Sequence, residues 1–409
     1  MKKLVSVLMI AVLSIALIGS TYAEETSNDE KAEEINVDLS KDTIELSLEE
    51  AISIAMEKNR DIEIQSLNIQ QSEKKYESEM DDIEDFEDKI EEHDGINFDK
   101  MSPEMKQRYS MYQGPIEQKK LLEYGVMERG TELTFNIAKW NKEIKKNEIQ
   151  YNITKSYYDL LLAEKSHEIA KESVELAERQ YQNGKKMYEL GTISKQNLIS
   201  MEVGVSQAKS GLNAANLGYE MQLMNFNNTL GIDMDKDIVL TDDITYSDYE
   251  LIALNEAIDE ALNTNKMIQV AEENYELSKL RLKATNAKYH DGSYRYLQEK
   301  IGVEKTAKSL ESAKKGIEMA VRSSYAQMIT AEEQINTYRK AVDKSQKALE
   351  LAELSFELGE NTSTDVNQAR IDLMNAKKDL AKQIHSYNMA KLDFDYSMGI
   401  GKQQISSGY

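Results

Sequence analysis

Apolar positions recur at alternating spacings of three and four along two long stretches of the chain. Leu160, Ala163, His167, Ala170, Val174, Ala177, Tyr181, Gly184 and Tyr188 make one run. Met328, Ala331, Ile335, Tyr338, Val342, Ser345, Leu349, Ala352 and Phe356 repeat it 168 residues later. A second pair of runs follows: Leu198, Met201, Val205, Ala208, Leu212, Ala215 and Tyr219, then Val366, Ala369, Leu373, Ala376, Leu380, Gln383 and Tyr387. Such a sustained heptad seam predicts long helices packed as coiled coils. Helices of roughly 40 residues would extend about 60 Å. Gly191 and Gly359 stand where a left-handed cap would end the outgoing helix. Ser194 in the first stretch, and Ser363 or Thr364 in the second, can cap the returning one. Each stretch therefore reads as a long antiparallel hairpin with a tight tip.

The same offset pairs Tyr188-Glu189-Leu190-Gly191 with Phe356-Glu357-Leu358-Gly359, and Gly231-Ile232 with Gly399-Ile400. At an offset of 206, Leu48-x-Glu50-Ala51-Ile52 meets Leu254-x-Glu256-Ala257-Ile258, and Asn59 meets Asn265. The chain reads as a duplication: an all-α fold of paired antiparallel coiled-coil hairpins. Ser47-x-x-Glu50 and Ser247-x-x-Glu250 read as capping boxes opening the first helix of each copy. The expected layout is repeat one over residues 47–232, with an acidic insertion at about 79–125, and repeat two over 254–400. Residues 24–46 read as an N-terminal linker, 233–253 as an acidic linker, and 401–409 as a tail.

Lys2 and Lys3 precede an uncharged apolar stretch, Leu4 to Ile18, and Thr21-Tyr22-Ala23 supplies small residues before Glu24. That pattern is a cleaved secretory signal over residues 1–23. The full chain carries a formal charge of −23, and losing two lysines and no acids makes the mature charge −23 − 2 = −25. So acidic a surface argues against nucleic acid as a partner. The chain has no cysteine, which excludes thiolate metal sites and cysteine nucleophiles.

No constellation of residues points to catalysis, a cofactor or a metal. Residues 81–94 hold nine carboxylates, yet Phe86 stands where an EF-hand loop needs glycine. Ile83, Phe86 and Ile90 keep helical spacing there, so the stretch reads as a solvated helix face. His93, His167, His290 and His385 show no ligand spacing, and His167 falls within the seam. Leu133, Phe135 and Ile137 alternate with polar residues as one short strand would.

These features together resemble the TolC-like outer-membrane efflux protein family. The residues that carry the resemblance are Leu46-Ser47-Leu48-Glu49-Glu50-Ala51-Ile52 and Asn59, the tip Tyr188-x-x-Gly191 with its Ala208-Lys209 return helix, and the closing Thr229-Leu230-Gly231-Ile232. All recur in the second copy, where the closing block is Ser397-Met398-Gly399-Ile400. The resemblance implies a homotrimer whose helices form a hollow tunnel in the cell envelope, at the outer membrane. It also implies hairpin tips that dock on a periplasmic adaptor attached to an inner-membrane pump. Leu190, Gly191, Thr192, Leu358, Gly359 and Glu360 would form that docking surface. Family members insert a β-hairpin between the long helices of each copy, but the matching segment here, about 283–315, is short and charged. Little or no β-barrel is expected. Two functions follow: a passive, non-enzymatic efflux or secretion conduit driven by a partner pump, or a non-transporting envelope scaffold or adaptor that keeps the helical fold.

Overall fold

The computed structural model describes residues 43–91, 102, 113–246, 252–402 and 405. The signal segment, His93 and Ser247-x-x-Glu250 lie outside the described residues. The described elements run, in chain order, as β1 (Thr43–Leu46), α1 (Leu48–Lys58), α2 (Arg60–Glu91), α3 (Gln113–Glu123), α4 (Val126–Glu189) and α5 (Lys195–Leu230). They continue as β2 (Asp237–Leu240), α6 (Leu254–Thr264), α7 (Lys266–Asn286), α8 (Tyr294–Glu357) and α9 (Ser363–Met398).

Two hairpins dominate. α4 and α8 each have 64 residues, and α5 and α9 each have 36. Both ends of both helices keep the 168-residue offset, as 126 and 294 or 230 and 398 show. The returning helices come near the expected 40 residues. The outgoing ones are far longer, about 96 Å at 1.5 Å per residue. The strand expected at Leu133, Phe135 and Ile137 is part of α4. Leu133 and Ile137 also stand one helical turn apart, and both bury against Val270 of α7. Phe135 turns sideways and stacks on Tyr76 with ring centroids 5.2 Å apart. A helix satisfies all three side chains, whereas a lone strand would have no partner to bond with.

The first helices open and break as local chemistry dictates. Ser47 caps α1, its hydroxyl accepting from Glu50 N while Ser47 N donates to Glu50 Oε2 at 2.7 Å. α6 starts at Leu254 behind Ala253, with no side-chain cap. Asn59 and Asn265 then leave helical geometry, with ψ of 118° and 123°. Each asparagine's side-chain Oδ1 caps the next helix, accepting from Asp61 N at 2.9 Å and from Met267 N at 3.0 Å.

β1 and β2 pair in parallel, Thr43 opposite Asp237 and Leu46 opposite Leu240. They are the only strands among the described residues, and no closed barrel forms there. Ile44, Leu46, Ile238 and Leu240 point inward on the two-residue period of a half-buried strand. They meet Ala51, Ile54, Phe226 and Leu230 in one core, which also takes Ile149, Ile153 and Leu161. On a bare hairpin those last three residues would form a second apolar edge. Here they are 5%, 0% and 3% exposed, because the small sheet and α1 cover that face of α4. The Tyr157 hydroxyl locks the sheet, donating to Asp242 Oδ2 at 2.6 Å and lying 3.2 Å from Leu46 O. Burial, then that carboxylate, push the Tyr157 phenol well above its ordinary pKa.

A second core, built on Ala257, Ile258, Ala261, Val321, Met328, Tyr387 and Phe394, joins α6 to the α8/α9 hairpin. α4 packs on α5 on one side and α9 on the other. The acidic stretch is helical as far as Glu91, with Ile83 buried. Among the described residues, no helix is long and apolar enough to cross a membrane.

Candidate docking tips

Both outgoing helices end in the same hydrogen-bonded turn. At the first tip Gly191 N donates to Tyr188 O at 2.9 Å and Thr192 N to Met187 O at 2.9 Å. At the second, Gly359 N donates to Phe356 O at 3.0 Å and Glu360 N to Ser355 O at 2.8 Å. This is the Schellman arrangement, which requires a left-handed residue at its centre. Gly191 and Gly359 have φ of 75° and 79°, a region that costs other residues about 1–2 kcal/mol. Leu190 and Leu358 stand beside them, 79% and 68% exposed.

The returning helices are capped one repeat apart. Ser194 Oγ accepts from Asn197 N at 3.2 Å. At the second tip the cap is Thr362 rather than Ser363 or Thr364, and 168 residues after Ser194 is indeed position 362. Thr362 N donates to Asp365 Oδ2 at 2.9 Å, and Asp365 N to Thr362 Oγ1 at 3.3 Å. The hydrogen bonds from Thr362 hold the Asp365 carboxyl below its ordinary pKa. Ser363 is left inside the first turn, buried, with its hydroxyl donating to Asn197 Oδ1 at 3.2 Å. Thr364 lies 3.3 Å from Ser200 Oγ. These contacts tie the tips of the two hairpins together.

Behind the tips the hairpins are locked by polar groups that sequence reasoning missed. Arg370 of α9 is 2% exposed, with no carboxylate among its hydrogen-bond partners. Its guanidinium donates to the Ser173 hydroxyl on α4 and to Asn367 Oδ1 at 2.7 Å, with Gly204 O of α5 at 3.5 Å. Burial lowers its pKa from the ordinary arginine value. Gln180 Nε2 donates to Glu353 Oε1 at 2.8 Å, and His385 Nε2 meets Asp159 Oδ1 at 2.7 Å. In sequence Arg370 sits one position past the seam residue Ala369, where a charge normally faces water. Only the neighbouring hairpin reveals that this second face is covered. His167 stacks against Tyr219 at 6.1 Å, a structural place for a seam histidine. Among the described residues, no group of histidines and carboxylates could hold a metal ion.

Residues 293–394, most of the second hairpin, match the outer membrane efflux protein family. No curated protein matches the chain. Among solved structures, the CmeC outer membrane channel of Campylobacter jejuni superposes with a TM-score of 0.60 at 11% identity, covering 88% of this chain and 87% of that one. A membrane protein from Pseudomonas aeruginosa gives 0.64 at 11% identity, with 88% and 92% covered. The open MtrE outer membrane channel of Neisseria gonorrhoeae gives 0.62 at 12%, with 87% and 90% covered. At such identities the likeness speaks for the fold, and that fold spans nearly the whole of each of those chains. With paired long hairpins and matched glycine tips, the chain has a TolC-like fold, and its second hairpin carries the outer membrane efflux protein pattern.

Proposed function

We propose that the chain is the protomer of a passive export conduit in the cell envelope: a homotrimer whose tips receive an adaptor linked to an energised pump. The carrying observation is the pair of equivalent tips. Two Schellman turns project Leu190 and Leu358 into solvent, while Ser363, Asn197, Ser200 and Thr364 hold the hairpins together. An exposed leucine on a rigid, hydrogen-bonded turn suits an apolar pocket on a partner, because little ordering remains to be done on binding. The described residues offer no metal cluster, and the sequence no nucleotide motif, so the driving energy falls to the partner.

One observation favours the rival reading of an envelope scaffold. α7 ends at Asn286 and α8 begins at Tyr294, so only seven residues join them. A membrane hairpin needs two strands of about 9–11 residues each. The test is genetic. Removing the chain from its host should raise retention of exported toxic compounds. The wild-type chain should restore export, and Leu190→Asp with Leu358→Asp should not, although light scattering finds the variant's assembly unchanged. Full export by the double variant would remove the tips from the mechanism. Normal export in the deletion strain would favour the scaffold.

A further inference from the structure

The end of the hairpins opposite the tips carries a charge unlike that of the rest of the chain. α4 and α8 begin there, after turns at residues 124–125 and 287–293. Leu121, Val126, Leu277, Leu280 and Ala284 pack these starts into one small core. Lys120, Thr285, Lys288 and Tyr289 line a hollow beside it. Residues 281–300 hold five basic groups, Arg281, Lys283, Lys288, Arg295 and Lys300, against Asp291 and Glu299. That is +3 in a chain of −23, so the remaining residues total −23 − 3 = −26. Lys283, Arg295 and Lys300 are exposed. α3 adds Lys119 and Lys120, the latter paired with Glu123.

The repeat shows which of these residues packing does not require. At the 168-residue offset the twin of Tyr294 is Val126, that of Arg295 is Met127, and that of Lys300 is Glu132. Val126 is core at 4% exposed, whereas Tyr294 is 79% exposed. Tyr124, in the neighbouring turn, is 39% exposed. The longer turn is ordered by its own bonds. Tyr289 N donates to Thr285 O at 2.9 Å, Ser293 N to His290 O at 2.9 Å, and Tyr296 N to Ser293 Oγ at 3.2 Å. Lys288 Nζ lies 5.0 Å from the centre of the Tyr289 ring. Exposed tyrosines among exposed cations add little to folding, but a membrane–water interface takes both. Phenol rings sit at headgroup level, and cations meet lipid phosphate. A soluble anion has no use for the tyrosines.

We propose that this end seats on the surface of an anionic lipid bilayer. Tyr294 and Tyr124 rest among the headgroups, and Lys283, Arg295 and Lys300 lie near their phosphates. The acidic remainder of the chain is repelled by the same surface, so the long hairpins stand away from it. Contact is peripheral: no strand or helix enters the hydrocarbon. The proposal is independent of the conduit reading, since a scaffold could sit on a membrane by the same end.

The test is sedimentation of the chain without residues 1–23 with lipid vesicles. Vesicles of phosphatidylcholine mixed with phosphatidylglycerol should carry the protein down, and phosphatidylcholine alone should not. Added salt should release it. Each basic residue near such a surface strengthens binding about fivefold, so Lys283→Gln, Arg295→Gln and Lys300→Gln together should weaken it about a hundredfold at low salt. Tyr294→Ser should weaken it less and leave the salt dependence unchanged. Lys340→Gln, Lys344→Gln and Lys347→Gln, three exposed lysines toward the other end of α8, make the same change in net charge and should leave binding intact. Equal losses in the two triple variants would overturn the proposal, as would equal binding to both vesicles. Sedimentation with isolated peptidoglycan but not with mixed vesicles would overturn it too. None of these outcomes touches the tips.

Discussion

Gly184 of α4 faces Met201 of α5, and a Cβ placed on it would lie 2.2 Å from Met201 Sδ and 3.2 Å from Cε. The twin pair in the second hairpin is Ala352 and Ala369, so the two hairpins divide the same space differently. Replacing Gly184 with alanine removes an unfavourable helix residue, a gain of about 0.8–1.0 kcal/mol. Overpacking costs about 1–3 kcal/mol. Met201 must shift to make room. It is 8% exposed, and Ile193 Cδ1 lies 3.7 Å from the same added Cβ. The expected balance is a loss of about 1 kcal/mol, which follows from setting those two ranges against each other. Met201→Ala alone should cost about 2 kcal/mol, the low end for a buried methionine. Together the two changes recreate the alanine pair of the second hairpin, so their losses should not add. The measurement is native-state amide exchange near the first tip, because long hairpins open segment by segment. Gly184→Ala should speed exchange there roughly fivefold, and the double-mutant cycle should show about 1 kcal/mol of favourable coupling. Slower exchange in Gly184→Ala, or additivity within about 0.5 kcal/mol, would refute the reasoning.

Further outcomes follow from the same packing and charges. Ala208 is buried against Val174 and Ala177, so Ala208→Leu should cost about 1–3 kcal/mol in a thermal melt. Its twin Ala376 is half-buried, and Ala376→Leu should cost less. Burial, then Glu168 and Asp243, raise the pKa of Glu164 above the ordinary carboxyl value of 4.5. The folded state therefore holds that proton more tightly, and its contribution to stability is present below pH 4.5 and lost as pH rises through the raised value. Glu164→Gln should raise the melting temperature at pH 7 and bring no such gain at pH 4; an equal gain at both would contradict this. Planar-bilayer recording of residues 24–409 alone should show no channels, since the seven-residue α7–α8 turn supplies no membrane strands. Reproducible single-channel conductance would restore a pore.

Periodicity carried the hairpins and their tips, because a heptad seam and a glycine after it are local signals. It did not carry the length of α4. The segment around 133–137 satisfies a two-residue and a four-residue period at once, and only Val270, 133 positions beyond Ile137, decides between them. β1 and β2 escaped for a related reason: four residues of alternation are too few to stand out, and the partner strand lies across the whole first repeat. The cap at Thr362 was legible in the repeat register, and proximity to two other hydroxyl residues obscured it. Arg370 was not legible at all. Nothing in the residues around it says that Ser173 and Gly204 will close over its guanidinium.

The parallel pairing of β1 with β2 also orders events in time. A parallel pair cannot close locally, and here Thr43 waits for Asp237, 194 residues later in the chain. At synthesis rates of about 5–20 residues per second, that wait is roughly 10–40 s. Through that interval Ile44 and Leu46, buried in the finished fold, belong to a short apolar strand with both edges bare. α4 and α5 can zip together from their own tip meanwhile, since their contacts are sequential. The first repeat is then sealed last at its beginning, when the Tyr157 hydroxyl finds Asp242. A chain cut short after Leu230 but before Asp237 would carry both long helices of its first hairpin and still lack the strand that covers its starting end.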